Sequence, residues 1–136
     1  MVNIGGKEIA EALEKIVETV RNNPDFTIDY LYNAAAILMT IGLTKNIPSL
    51  KIIGNYILMV PSRYRPILTY RFQLLGVTEE LMKKVDEIAA TLDRVLDIIV
   101  EIARKIKERK SISDNDFIKY VGEIEDIFSK LPSFRE

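Results

Sequence analysis

The stretch TEELMKKVDEIAATLDRVLDIIVEIARKIKE, Thr78–Glu108, decides the fold class. Its residues Leu81, Val85, Ile88, Leu92, Val95, Ile99, Ile102 and Ile106 follow one another at spacings of four and three. Such spacing keeps them on one side of a helix, and sustained over about four heptads it makes a seam. Thr78 can cap the start, and neither proline nor glycine interrupts the run. Glu79 and Lys83, Glu80 and Lys84, Glu101 and Lys105, and Arg104 and Glu108 stand four apart, the spacing of solvated ion pairs along a helix. The seam is expected to be intramolecular core, with self-association or docking on a larger subunit as the other use of such a stripe.

Working outward, no segment of the chain alternates with the period of a strand. A first helix is expected from about Lys7 to Arg21, with Ile9, Leu13, Ile16, Val17 and Val20 inward, broken by Pro24. Thr27 can cap a second helix, about Ile28 to Ile41, which is apolar nearly all round, reads as central and largely buried, and stops near Gly42. Pro48 suits the first turn of a short third helix that VPS, Val60–Ser62, should end. Ser62 can cap a fourth helix running to Gly76, with Pro66 within its first turn. After the long fifth helix, Ser113 and Asp116 resemble a capping box, and Phe117, Val121, Ile124, Phe128 and Leu131 give the stripe of a sixth. The reading is all-α: a single-domain helical bundle, residues 1–136, of about six helices with one long helix in the C-terminal half.

A chain of 136 residues that is 48% hydrophobic and 29% charged can bury one continuous core. It has no cysteine and no histidine, which removes disulfides, thiol nucleophiles, the commonest general base and the best transition-metal ligands. No metal, no cofactor and no enzymatic activity are expected. The adjacent carboxylates Glu79 with Glu80 and Glu125 with Asp126 point about 100° apart on a helix and cannot readily share a metal ion or a proton. Gly5 and Gly6 follow no strand and precede no Gly-Lys-Ser/Thr, so they are not a phosphate loop. The longest uncharged run, Tyr30–Thr44, is shorter than the roughly 20 residues of a membrane span, and the N-terminus does not read as a signal peptide. A cytoplasmic protein without membrane contact is expected. Isoleucine is the commonest residue and Gln73 the sole glutamine, a bias that fits a heat-adapted organism.

Charge is distributed unevenly. Residues 30–76 hold Lys45, Lys51, Arg63, Arg65 and Arg71 with no carboxylate, a local charge of +5, whereas each flank carries −3. Five of the six tyrosines, Tyr30, Tyr32, Tyr56, Tyr64 and Tyr70, lie in the same segment. On the expected fourth helix, Arg71 falls within the apolar arc of Leu68, Phe72 and Leu75, Arg63 and Arg65 flank it, and Tyr70 lies one heptad from Arg63. These cations have three destinations: carboxylates of other helices, open water, which is the plainer reading of Lys45 and Lys51 taken singly, or an anion from outside. Arginine forks fit phosphate, and a neighbouring tyrosine can stack on an unpaired base, so the third destination is a nucleic-acid backbone. Its candidate contacts are Arg63, Arg65, Arg71, Lys51, Lys45 and Tyr70.

IGLTKNIPSLKIIGNYILMVPS, Ile41–Ser62, runs Gly-Leu, a short polar linker, Pro-Ser-Leu and, four residues on, Asn55. Over these 22 residues the chain resembles the small helical subunit of archaeal type I-A CRISPR interference complexes. The resemblance implies a non-catalytic subunit present in several copies, stacked against neighbouring copies of itself and the guide-binding backbone subunits. There it would help hold the duplex of guide RNA with target DNA and the displaced strand, through backbone contacts. A net charge of −1 would let copies pack side by side without strong repulsion. Lys51 is the one cation between Pro48 and Asn55, so Arg63, Arg65 and Arg71 rest on the charge argument alone. Two other readings stand beside it: a DNA-packaging coat protein of an archaeal filamentous virus, and a helical adaptor that binds another protein through the seam.

Overall fold

The computed structural model describes residues 6–23, 27–70, 79–108 and 111–130, with the backbone alone described for 27, 28, 61–70, 79–82, 84, 85 and 89. Five α-helices follow in order: α1 Gly6–Asn22, α2 Thr27–Thr44, α3 Pro48–Tyr70, α4 Glu79–Glu108 and α5 Ile118–Ser129, with a 3₁₀ turn at Asp114–Asp116 before the last. No strand occurs among the described residues, so the all-α reading holds.

Helix α1 lies where the sequence puts it, burying Leu13, Ile16, Val17 and Val20 together with Ala10. Helix α2 does not stop at Gly42. It runs on to Thr44, and Asn46 takes the left-handed conformation at φ 55°. The Ile47 amide then reaches back to the Gly42 carbonyl at 2.8 Å, which closes a Schellman turn with asparagine in the place usually held by glycine. Pro48 opens α3, as expected from its fixed φ and missing N–H. The next free amide, Ser49, donates to the Asp114 carboxylate at 2.7 Å, so a remote residue caps this helix.

The expected third and fourth helices are one. Helix α3 continues through Val60-Pro61-Ser62 and past Pro66 to Tyr70, which makes it about 34 Å long. Each proline deprives a carbonyl one turn earlier of its usual donor. Packing outweighs that loss: Leu50, Ile53, Ile57 and Val60 are all fully buried, the last directly before Pro61. The break expected at VPS is thus overridden, and the described residues form five α-helices rather than six.

Gly6 of α1 abuts Ile106 of α4, and Arg21 at the other end of α1 reaches Asp93 and Asp97, so the two helices are antiparallel. Gly42 against Lys51 and Gly54 against Met39 make α2 and α3 an antiparallel hairpin. Helix α1 also packs on α2, and α5 packs on both α3 and α4, which closes an up-and-down ring around one continuous core. Ile88, Leu92, Val95, Ile99, Ile102 and Ile106 of the seam are buried, and Leu96, Ile98 and Ala103 are buried too, since α4 is covered by α1 and by α5. Leu81, Val85, Arg71, Gly76 and Leu131, named from the sequence, have side chains outside the described residues. Phe117, just before α5, and Ile124 and Phe128 within it are core as expected, Val121 is half-buried, and Tyr120 joins the core. The Ser113 amide donates to Asp116 at 2.8 Å, but this closes the 3₁₀ turn, and α5 begins only after Phe117.

Candidate nucleic-acid interface

The α2–α3 hairpin brings the first two candidate cations together. Lys45 caps the C-terminal end of α2 through its amide, bonded to the Ile41 carbonyl at 2.9 Å, and its side chain is exposed. Lys51 stands on the first turns of α3. A Cβ placed on Gly42 would lie 2.6 Å from Lys51 Cγ, so the missing side chain is the seat of the lysine stem, while the residue as a whole is exposed. This arrangement keeps the apolar stem against protein and the ammonium in water. Neither lysine forms an ion pair among the described residues.

Outside residues 30–76 some cations are paired, while Lys7, Lys15, Lys83, Arg94 and Arg104 form no ion pair among the described residues. Arg21 is clasped by Asp93 at 3.1 Å and Asp97 at 2.5 Å, and the hydrogen bond to Asp97 does most to hold its guanidinium above the ordinary arginine range. Lys107 meets Glu14 at 3.6 Å and Lys130 meets Asp126 at 3.0 Å. Lys105 does not pair with Glu101 as its spacing suggests. Its ammonium lies 5.7 Å from the Tyr120 ring centre, and that of Lys119 lies 4.9 Å from it. Burial pushes the Tyr120 phenol up, and the nearby Glu101 charge adds to the shift against the opposing Lys119. Arg104 and Glu108 are likewise not paired with one another.

The solvent side of α2 carries Asp29, Tyr32, Asn33, Ala36, Thr40 and Leu43. The second helix is therefore not buried all round, as its composition predicts, but lies at the surface with Tyr32 and Leu43 (63% exposed) in water. On α3 up to Val60 the exposed positions are Pro48, Lys51, Ile52, Asn55 and Met59. Arg63, Arg65 and Tyr70 lie on the same continuous helix, and their side chains are outside the described residues. Arg71 lies outside the described residues. Of the tyrosines in the segment, Tyr56 is spent on packing, its ring 5.2 Å from that of Phe128, while Tyr32 is exposed.

The sequence reading missed the exposure of Leu43, Ile52 and Met59, because a nearly all-apolar helix gives no polar stripe by which to find its wet side. Among the described residues there is no group of three or more side chains able to hold a metal ion, and no helix is long and apolar enough to cross a membrane. Compared with protein-family models, curated proteins and solved structures, the chain matches none.

Proposed function

We propose that this chain is a non-catalytic small subunit of an RNA-guided DNA interference complex, contacting the backbones of guide RNA and target DNA through the α2–α3 hairpin. The observation that carries the reading is the exposure of Lys45 and Lys51 on one hairpin, without an ion pair among the described residues, in a segment that offers no carboxylate of its own. The segment that holds them contains no acid at all, and its α3 helix carries Arg63 and Arg65 in the same continuous backbone. Exposed Asn55 belongs to the motif that resembles the CRISPR small subunit, and seated Lys51 lies between its Pro48 and Asn55. Such a surface reads no bases; it adds phosphate contacts to a duplex whose sequence is chosen by pairing.

The test is the salt dependence of binding. Each phosphate contact contributes a slope of about −0.7 to −0.9 in log affinity against log salt. Lys45→Glu with Lys51→Glu should flatten the slope of the chain, or of the complex that contains it, by about two such contacts on single-stranded or hybrid oligonucleotides. An unchanged slope removes the hairpin from the proposal. The adaptor reading keeps a separate support in the exposed apolar residues of α3 and α5, but not in the seam, which is buried from Ile88 to Ile106.

A further inference from the structure

Five large apolar side chains among the described residues stand exposed, and three of them, Leu43 at 63%, Ile52 at 43% and Ile118 at 50%, lie at one end of the bundle. The fold gathers them there from three helices. Leu43 stands on the last turn of α2 and Ile52 on the first turns of α3, to either side of the turn that the Ile47 amide closes on the Gly42 carbonyl. The Ser49 amide is bonded to the Asp114 carboxylate at 2.7 Å, so the start of α5 is held against the start of α3. Ile52, three residues after Ser49, and Ile118, four after Asp114, therefore each stand within about one helical turn of that junction.

Charge around these side chains is of one sign. Lys45 lies in the turn itself and Lys51 beside Ile52, both exposed and without an ion pair among the described residues. The nearby carboxylates are half-buried and engaged: Asp114 faces the first free amide of α3, and Asp116 accepts from the Ser113 amide at 2.8 Å. Lys119, next to Ile118, rests its ammonium 4.9 Å from the Tyr120 ring centre, so α5 gives this surface its isoleucine alone. Where α1 starts and α4 ends, Lys7 and Lys107 are accompanied by Glu8, Glu14 and Glu108, and that side of the molecule is balanced.

We infer that this end of the bundle docks on an anionic lipid bilayer, with Leu43, Ile52 and Ile118 entering the headgroup layer and Lys45 and Lys51 meeting its charges. The inference goes beyond contact with nucleic-acid backbones, which uses the same two lysines but leaves the aliphatic side chains beside them without a role. Composition separates a lipid surface from a protein partner. Protein interfaces favour Tyr, Phe, Met and Arg and are poor in Lys, and Leu is under-represented among the residues that dominate their binding energy. This end offers leucine, isoleucine and lysine instead. Aliphatic side chains gain by entering the boundary between headgroups and acyl chains, and lysines beside them are drawn to the negative leaflet. The contact is peripheral, since among the described residues no helix is long and apolar enough to cross a membrane.

Co-sedimentation of the full chain with vesicles of phosphatidylcholine alone, and of phosphatidylcholine mixed with phosphatidylserine, tests this. The chain should bind the mixed vesicles about tenfold or more tightly than the neutral ones. Lys45→Glu with Lys51→Glu should weaken binding to the mixed vesicles by roughly fivefold for each lysine lost. Leu43→Ser with Ile52→Ser should weaken it by about tenfold or more, with a urea midpoint close to that of the wild type because both side chains are exposed, and should leave binding of a single-stranded oligonucleotide as it was. No binding to the mixed vesicles overturns the inference, and so does binding that Leu43→Ser with Ile52→Ser leaves intact, since that is adsorption by charge alone. If the serine pair lowers oligonucleotide binding and spares vesicle binding, this end belongs to nucleic acid and the inference fails.

Discussion

At the scale of single residues, Gly42 shows how one identity serves a purpose that pattern alone does not name. Glycine near the end of an apolar run reads as a stop, yet here the left-handed position belongs to Asn46 and Gly42 is still helical. What Gly42 provides is room: a Cβ there would lie 2.6 Å from Lys51 Cγ, 2.8 Å from the Lys51 amide nitrogen and 3.0 Å from the Ile47 carbonyl. Two of those neighbours are backbone, which cannot swing aside. Gly42→Ala should therefore cost about 1–3 kcal/mol in urea unfolding, the range for overpacking a tight site. It should also displace the Lys51 stem. Unchanged stability would mean that α2 and α3 are farther apart at this turn. The candidate site was legible to the same degree: the exposure of Lys45 and Lys51 follows from their polar linker, but Tyr56 was drawn to Phe128 and Tyr120 into the core, because a tyrosine serves packing and recognition with the same ring.

At the scale of elements, the ends of α1 and the course of α4 were legible because amphipathic periodicity reports directly on a helix with one wet side. Helix α3 was not, because proline carries a strong local signal while the packing that opposes it is spread over Leu50, Ile53, Ile57 and Val60 and their partners in other helices. The consequence is measurable. In a helix interior proline is about 3 kcal/mol less favourable than alanine, and the flexibility that alanine restores to the unfolded chain takes back about 0.4–1 kcal/mol. If α3 is continuous, Pro61→Ala should raise stability by roughly 2 kcal/mol, seen as a higher urea midpoint at an unchanged slope. A substitution that leaves stability equal or lower indicates a chain break at Val60-Pro61-Ser62.

At the scale of the whole molecule, the heptad seam and the uneven charge answer to one constraint. A ring of five helices must cover α4 on more than one side, so the seam from Ile88 to Ile106 is consumed in holding the bundle together, and recognition is left to the outer helices. Heptad spacing by itself is silent on this, since the same stripe serves an intramolecular core and an intermolecular coil. Ile99 separates the two uses. Its side chain is fully buried, near the middle of α4. Truncation there leaves a cavity, and Ile99→Ala should cost about 2–5 kcal/mol. Since the lost contacts lie within one chain, the cost should be the same at every protein concentration, whereas an interface residue would give a loss that grows on dilution. Ile99→Asp should go further: a carboxylate without a partner in the core exceeds what a marginally stable domain tolerates, so the chain should lose its far-UV helical signal altogether. A well-folded Ile99→Asp monomer would show instead that α4 turns this side outward, and the surface assigned to recognition would then have to be sought along the seam.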